Sequence, residues 1–119
     1  MKMLIVDDSF VMRKTIERCA VSLMITDIMT APNGKIALEL FDKERPSLVT
    51  LDITMPEMDG LSCLDHIMKK DPHAKVIVIT ALKDSATGLS AMKRGAKGFL
   101  PKPFTPEQLK EEILNAIGG

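Results

Sequence analysis

The chain has no apolar run approaching the roughly 18 residues that would span a bilayer. Its start, Met1-Lys2-Met3, leads directly into an apolar strand pattern, with no small-residue cleavage site to mark a secretory signal. Charge of one sign is missing too. Sixteen Lys and Arg balance sixteen Asp and Glu, so no net field draws the chain toward nucleic acid or an anionic membrane. Cysteine is scarce: Cys19 and Cys63 share neither a CxxC nor a metal-ligand spacing. They are expected as free buried thiols in a reducing cytosol. Linkers, repeats and low-complexity stretches are absent. With 119 residues, enough for a real core, the expectation is one cytoplasmic domain, residues 1–119, without an output domain or a nucleic-acid or membrane partner.

What is present is alternation. Short apolar runs at Met3–Val6, Leu48–Leu51, Val76–Ile79 and Gly98–Pro101 read as buried parallel strands. Ile25–Ala31, diluted by Thr26 and Asp27, reads as a weaker edge strand. Between them lie helical patterns. Ser9 caps a helix presenting Met12, Ile16, Cys19 and Leu23. Asn33-Gly34 has no second strand after it, so it reads as a loop entering a helix with Ile36, Leu38, Leu40 and Phe41. Further helices are expected over Leu61–Lys70, closed by Asp71-Pro72, and over Ser85–Arg94, ended by Gly95. The last has Pro106 in its first turn and presents Leu109, Ile113, Leu114 and Ile117. Five strands and five helices in alternation predict an α/β fold with a doubly wound parallel sheet.

Five side chains gain meaning from that fold. Asp7 and Asp8, Asp52, Thr80 and Lys102 each follow an apolar run, so parallel strands gather them at one edge, where open α/β sheets bind ligands. Three carboxylates, a hydroxyl and an ammonium point to Mg²⁺ and phosphate chemistry. A carboxylate can accept a phosphoryl group, Mg²⁺ offsets the repulsion between anions, and Lys102 supplies a mobile positive charge. Pro101 and Pro103 stiffen the backbone on both sides of it.

The four segments Val6-Asp7-Asp8-Ser9, Leu51-Asp52-Ile53-Thr54-Met55-Pro56-Glu57-Met58-Asp59-Gly60, Thr80-Ala81 and Lys102-Pro103 resemble the receiver domain of two-component response regulators. The likeness covers the whole chain and is strongest to stand-alone members of the chemotaxis CheY type. It implies a flavodoxin-like (βα)5 fold with strand order 2-1-3-4-5 and Asp52 as phosphoacceptor. It further implies Mg²⁺ held by Asp8, Asp52 and the Thr54 backbone carbonyl, with Asp7 acting through water, and a cis bond between Lys102 and Pro103. Thr80 and Phe99 become switch residues, Met92 and Phe99 partner contacts, and Thr54 and Leu82 neighbours that modulate hydrolysis. Gly60 and Pro56 are expected as backbone devices of the loop after Asp52. Of the nine methionines, most are expected as core filler, with Met92 and Met68 as candidates for a partner surface. His66 and His73 are expected at the surface.

By the same resemblance the partners are a histidine kinase and a downstream target, a flagellar motor switch protein or a chemotaxis phosphatase, bound by a monomer. A phosphate shuttle or a kinase regulator remains an alternative within the family. Two features temper the motor assignment: Gly88 stands where motor-binding members present an apolar side chain, and Phe99 where Tyr is commoner. Haloacid-dehalogenase-like phosphatases also combine Asp, Mg²⁺, Thr and Lys, but they carry a second Asp two residues after the first, where this chain has Thr54. A flavodoxin-like binding domain would want a phosphate-cradling loop in the place of Asp7-Asp8.

Overall fold

The computed structural model describes residues 1–54, 60–81 and 85–118, apart from the side chain of Ser85. Among these residues five strands alternate with five helices: β1 (Lys2–Val6), α1 (Phe10–Ser22), β2 (Asp27–Ala31), α2 (Gly34–Glu44), β3 (Leu48–Asp52), α3 (Gly60–Lys70), β4 (Lys75–Thr80), α4 (Ser85–Lys93), β5 (Gly98–Pro101) and α5 (Pro106–Gly118). All four strand pairings are parallel and the order is β2-β1-β3-β4-β5. This is the flavodoxin-like arrangement expected from the sequence.

Burial explains the unbroken apolar runs. Both faces of the central strands are covered, so Leu4, Ile5, Leu48, Val49 and Leu51 are fully buried. Successive residues then serve different cores. Leu4, Val6, Val49 and Leu51 pack with Phe41 of α2 and with Cys63, Leu64 and Ile67 of α3. Met3, Ile5 and Leu48 pack with Ile16 of α1 and with Leu109 and Ile113 of α5. Each such side chain contributes about 1.5–3 kcal/mol by leaving water. Both thiols are buried and free; burial pushes the Cys63 thiol up to about 11, which makes it inert.

Element ends follow local chemistry. Ser9 accepts from the Met12 N–H to start α1, and Thr105 and Gln108 cap α5 reciprocally, at 2.8 and 3.1 Å. Gly95 has φ +108, the left-handed conformation that closes α4. Several expectations change. β2 is an edge strand, as read, but begins at Asp27, because Met24 adopts φ 67 and turns the chain before it. Asn33 ends the loop entering α2, as read, and also caps that helix, accepting from the Ile36 N–H at 2.9 Å. Leu114 is 55% exposed, and Ala116 takes the inward place on α5. Among the described methionines only Met3 is fully buried, while Met1, Met24 and Met92 are exposed. Met68 is partly buried against the core and packs against Gly95. His66 and His73 are exposed, as expected.

Gly60 links the fold to the sheet edge. A Cβ there would overlap the α-carbon and side chain of Ile53, the residue directly after Asp52, so α3 starts in contact with the backbone leaving β3. Gly60→Ala is expected to lower stability by about 2–3 kcal/mol, a fall in Tm of about 10 °C. A thermal melt followed by circular dichroism checks this; an unchanged Tm would contradict the close approach.

Candidate functional site

Strand pairing builds the site. Val6 lies beside Leu51 in the register of β1 and β3, so Asp7 and Asp52, the next residues, emerge together. Alternation turns both toward the α1/α5 side of the sheet, the side of Met3, Ile5 and Leu48. Asp7 is fully buried, Asp52 is 2% exposed, and Asp8 is exposed. One carboxylate oxygen from each of the three lies within 4.8 Å of the others.

Lys102 closes the group. Its ammonium lies 2.9 Å from Asp7 Oδ2 and 3.2 Å from Asp52 Oδ2. Its backbone N–H donates to the Thr80 carbonyl at 2.7 Å, and its bond to Pro103 is cis. The acids are held from their other sides as well. Asp7 Oδ1 accepts from the Ser9 N–H at 2.9 Å and the Asp7 carbonyl from Arg13 Nη1 at 2.7 Å. Asp52 Oδ1 accepts from both the N–H and the hydroxyl of Thr54, at 2.8 and 2.6 Å.

The electrostatics follow from burial and crowding. Burial pushes the Asp7 carboxyl above its usual range, and the Asp52 charge adds to this. The Ser9 N–H and Lys102 pull the other way without cancelling it. Burial also works against the Lys102 ammonium, but Asp7 and Asp52 outweigh it, so Lys102 is displaced upward and stays charged throughout the physiological range. Three acids face one ammonium, which leaves room for about two more positive charges. Carboxylate oxygens are the hard donors Mg²⁺ prefers, and three of them within reach of one point fit a divalent cation.

Thr80 ends β4 fully buried. It alternates with Val76 and Val78, on the sheet face that carries Phe99. Phe99 is partly buried, and its ring lies against Gly88 of α4, 3.3 Å from where a Cβ would stand. Met92 is 45% exposed on the same helix. The sheet edge thus unites Asp7, Asp8, Asp52, Thr54 and Lys102, while Thr80 and Phe99 share the opposite face and Met92 lies at the surface. Leu82 and Pro56 fall outside the described residues. Arg13 and the Thr54 hydroxyl are contacts that sequence reasoning missed. An arginine one turn into a helix carries no sequence mark that distinguishes it from a solvated one.

Comparison with known proteins agrees with this geometry. The response regulator receiver domain model matches residues 3–114. The chemotaxis protein CheY of Listeria monocytogenes is 43% identical over 98% of both chains. The CheY of Thermotoga maritima is 40% identical, over 94% of this chain and 93% of its own. Among solved structures, the CheX–CheY–BeF3–Mg complex from Borrelia burgdorferi matches with a TM-score of 0.94 and 34% identity, over 98% of this chain and 89% of that one. The BeF3-activated receiver domain of DrrB matches with a TM-score of 0.89 and 27% identity, over 99% and 97%. The chain belongs to the response regulator receiver domain family, and it is a signalling protein of the chemotaxis CheY type.

Proposed function

We propose that Asp52 accepts a phosphoryl group from the phosphohistidine of a histidine kinase, or from a small phosphodonor, and that residues 1–119 act as one cytoplasmic receiver domain. The observation that carries this reading is the Lys102 ammonium between Asp7 and Asp52, with Asp8 alongside. Acceptor and incoming group are both anionic, so the reaction needs concentrated positive charge. Lys102 provides one such charge next to Asp52 Oδ2. Asp7, Asp8, Asp52 and the Thr54 backbone carbonyl are the residues that would hold Mg²⁺, which supplies neutralising charge for phosphoryl oxygens. In the transfer an Asp52 oxygen bonds to phosphorus as the P–N bond breaks. The electron pair returns to the imidazole nitrogen, which takes a proton from solvent.

Thr80 is the proposed reporter. Its hydroxyl gains a new acceptor when Asp52 is phosphorylated, and a hydrogen bond to a charged group is worth about 1.5–3 kcal/mol. That difference moves a two-state equilibrium roughly ten- to a hundredfold. The face it shares with Phe99 offers a route to α4, so α4, β5 and α5 form the proposed target surface, with Phe99 and Met92 as contacts. Exposed Leu89, on the same helix, enlarges it. The target is a flagellar motor switch protein or a chemotaxis phosphatase; the Borrelia complex makes a CheX-like protein a candidate.

Two variants test this reading. Asp52→Asn is expected to take up no label from phosphoramidate in millimolar Mg²⁺, read by intact-protein mass spectrometry, whereas wild type gains one phosphoryl group. Labelling of the variant to the wild-type extent would remove Asp52 from the role. Thr80→Ala is expected to be labelled normally yet to lose the roughly tenfold or greater dependence of partner binding on phosphorylation. Undiminished dependence, measured by calorimetry with a beryllofluoride-loaded sample, would exclude Thr80 from the coupling.

A further inference from the structure

A carboxylate oxygen offers two lone pairs to donors. Both are filled on Asp52 Oδ1, by the N–H of Thr54 at 2.8 Å and by its hydroxyl at 2.6 Å. The second distance is that of a charge-assisted O–H···O⁻ bond. Among the described residues Asp52 Oδ2 carries only the longer contact to Lys102, at 3.2 Å. The proposed function asks two things of Asp52 at once: one oxygen for a divalent cation and the other for phosphorus. Oδ1 must therefore serve one of them, although it has no lone pair to spare.

Lys102 decides which. An ammonium beside Oδ2 repels a cation and attracts an anionic phosphoryl group, so the cation is directed to Oδ1 and the phosphoryl group to Oδ2. The Thr54 N–H is fixed by the backbone turn, but the hydroxyl leaves by rotation about one bond. We infer that the Thr54 hydroxyl is a resident competitor for the cation at Asp52 Oδ1. It holds the acceptor carboxylate in the metal-free protein and lowers the affinity for Mg²⁺ because it has to be displaced. Thr54 is thus a positioning residue through its side chain, besides the backbone carbonyl already assigned to it. Residue 54 is exposed, so the displaced hydroxyl finds water. The penalty is then the net worth of one hydrogen bond to a charged group, roughly ten- to a hundredfold in affinity.

The inference rests on the reading of Asp7, Asp8 and Asp52 as a metal site, and its test separates the two. Mg²⁺ alone is titrated by calorimetry into wild type, Thr54→Val, Thr54→Ser and Asp8→Ala, with circular dichroism as a check on folding. Valine keeps the shape and the N–H contact but loses the hydroxyl; serine keeps the hydroxyl and loses the methyl. Thr54→Val is expected to bind Mg²⁺ roughly ten- to a hundredfold more tightly, and Thr54→Ser as wild type does. Equal or weaker binding by Thr54→Val overturns the inference, and so does equal tightening in both variants, because serine keeps the hydroxyl. If Asp8→Ala binds as well as wild type, or wild type binds no Mg²⁺, the metal site itself is wrong and the inference falls with it.

Discussion

The Lys102 ammonium, 2.9 Å from Asp7 and 3.2 Å from Asp52, is the interaction on which the rest of this structure depends. The register of β1 and β3 brings the two buried carboxylates together. Two like charges about 4 Å apart repel by roughly 4 kcal/mol at an effective dielectric near 20, a large part of a domain's net stability. One ammonium between them turns most of that repulsion into attraction. It does not neutralise the group, because Asp8 is a third acid within reach. The residue of negative charge makes the edge able to hold a cation, and the ammonium makes it a place where an anionic group can be tolerated.

The sheet carries this charge arrangement to a surface. β5 is the edge strand beyond β4, so the Lys102 side chain reaches Asp52 across the end of β4, over the strand that Thr80 terminates. Lys102 and Thr80 are also joined through the backbone, at 2.7 Å. On the opposite sheet face the ring of Phe99 fills the space left by Gly88. Glycine costs a helix interior about 1 kcal/mol relative to alanine, so α4 gives up stability of its own and gains a close ring contact with β5. The end of α4 is tied elsewhere, by Arg94 to Asp65 of α3 at 2.5 Å. The middle of α4 rests on the Phe99 ring, and its own Ala91 is fully buried in the core.

Much of this is legible in the sequence, for physical reasons. Buried parallel strands need unbroken apolar runs, and polar residues just after such runs can lie only at the strand ends. That alone places Asp7, Asp52, Thr80 and Lys102. Capping chemistry is local, so Ser9 and Pro106 are also readable. What escapes depends on tertiary detail. Asn33 looks like a turn residue because the same side chain serves turns and caps. Leu114 fits the helical period but lies just outside the buried stripe of α5, where Ala116 packs closer. Met68 is indistinguishable from Met92 until α3 and α4 are set side by side. The Thr54 hydroxyl is hidden by its own backbone: the family resemblance points to the carbonyl, while the side-chain contact depends on the turn after β3.

The central claim is that excess negative charge at the sheet edge destabilises the metal-free protein and that a cation relieves it. Urea denaturation of wild type and Asp8→Asn at neutral pH, with EDTA and with about 10 mM Mg²⁺, tests it most directly. Asp8 is exposed, and its carboxylate makes no hydrogen bond among the described residues, so the substitution removes charge with little loss of packing. The account predicts that Asp8→Asn is the more stable protein in EDTA, and that Mg²⁺ stabilises wild type by clearly more than it stabilises Asp8→Asn. Lower stability of Asp8→Asn than of wild type in EDTA, or an equal response of the two proteins to Mg²⁺, would contradict it.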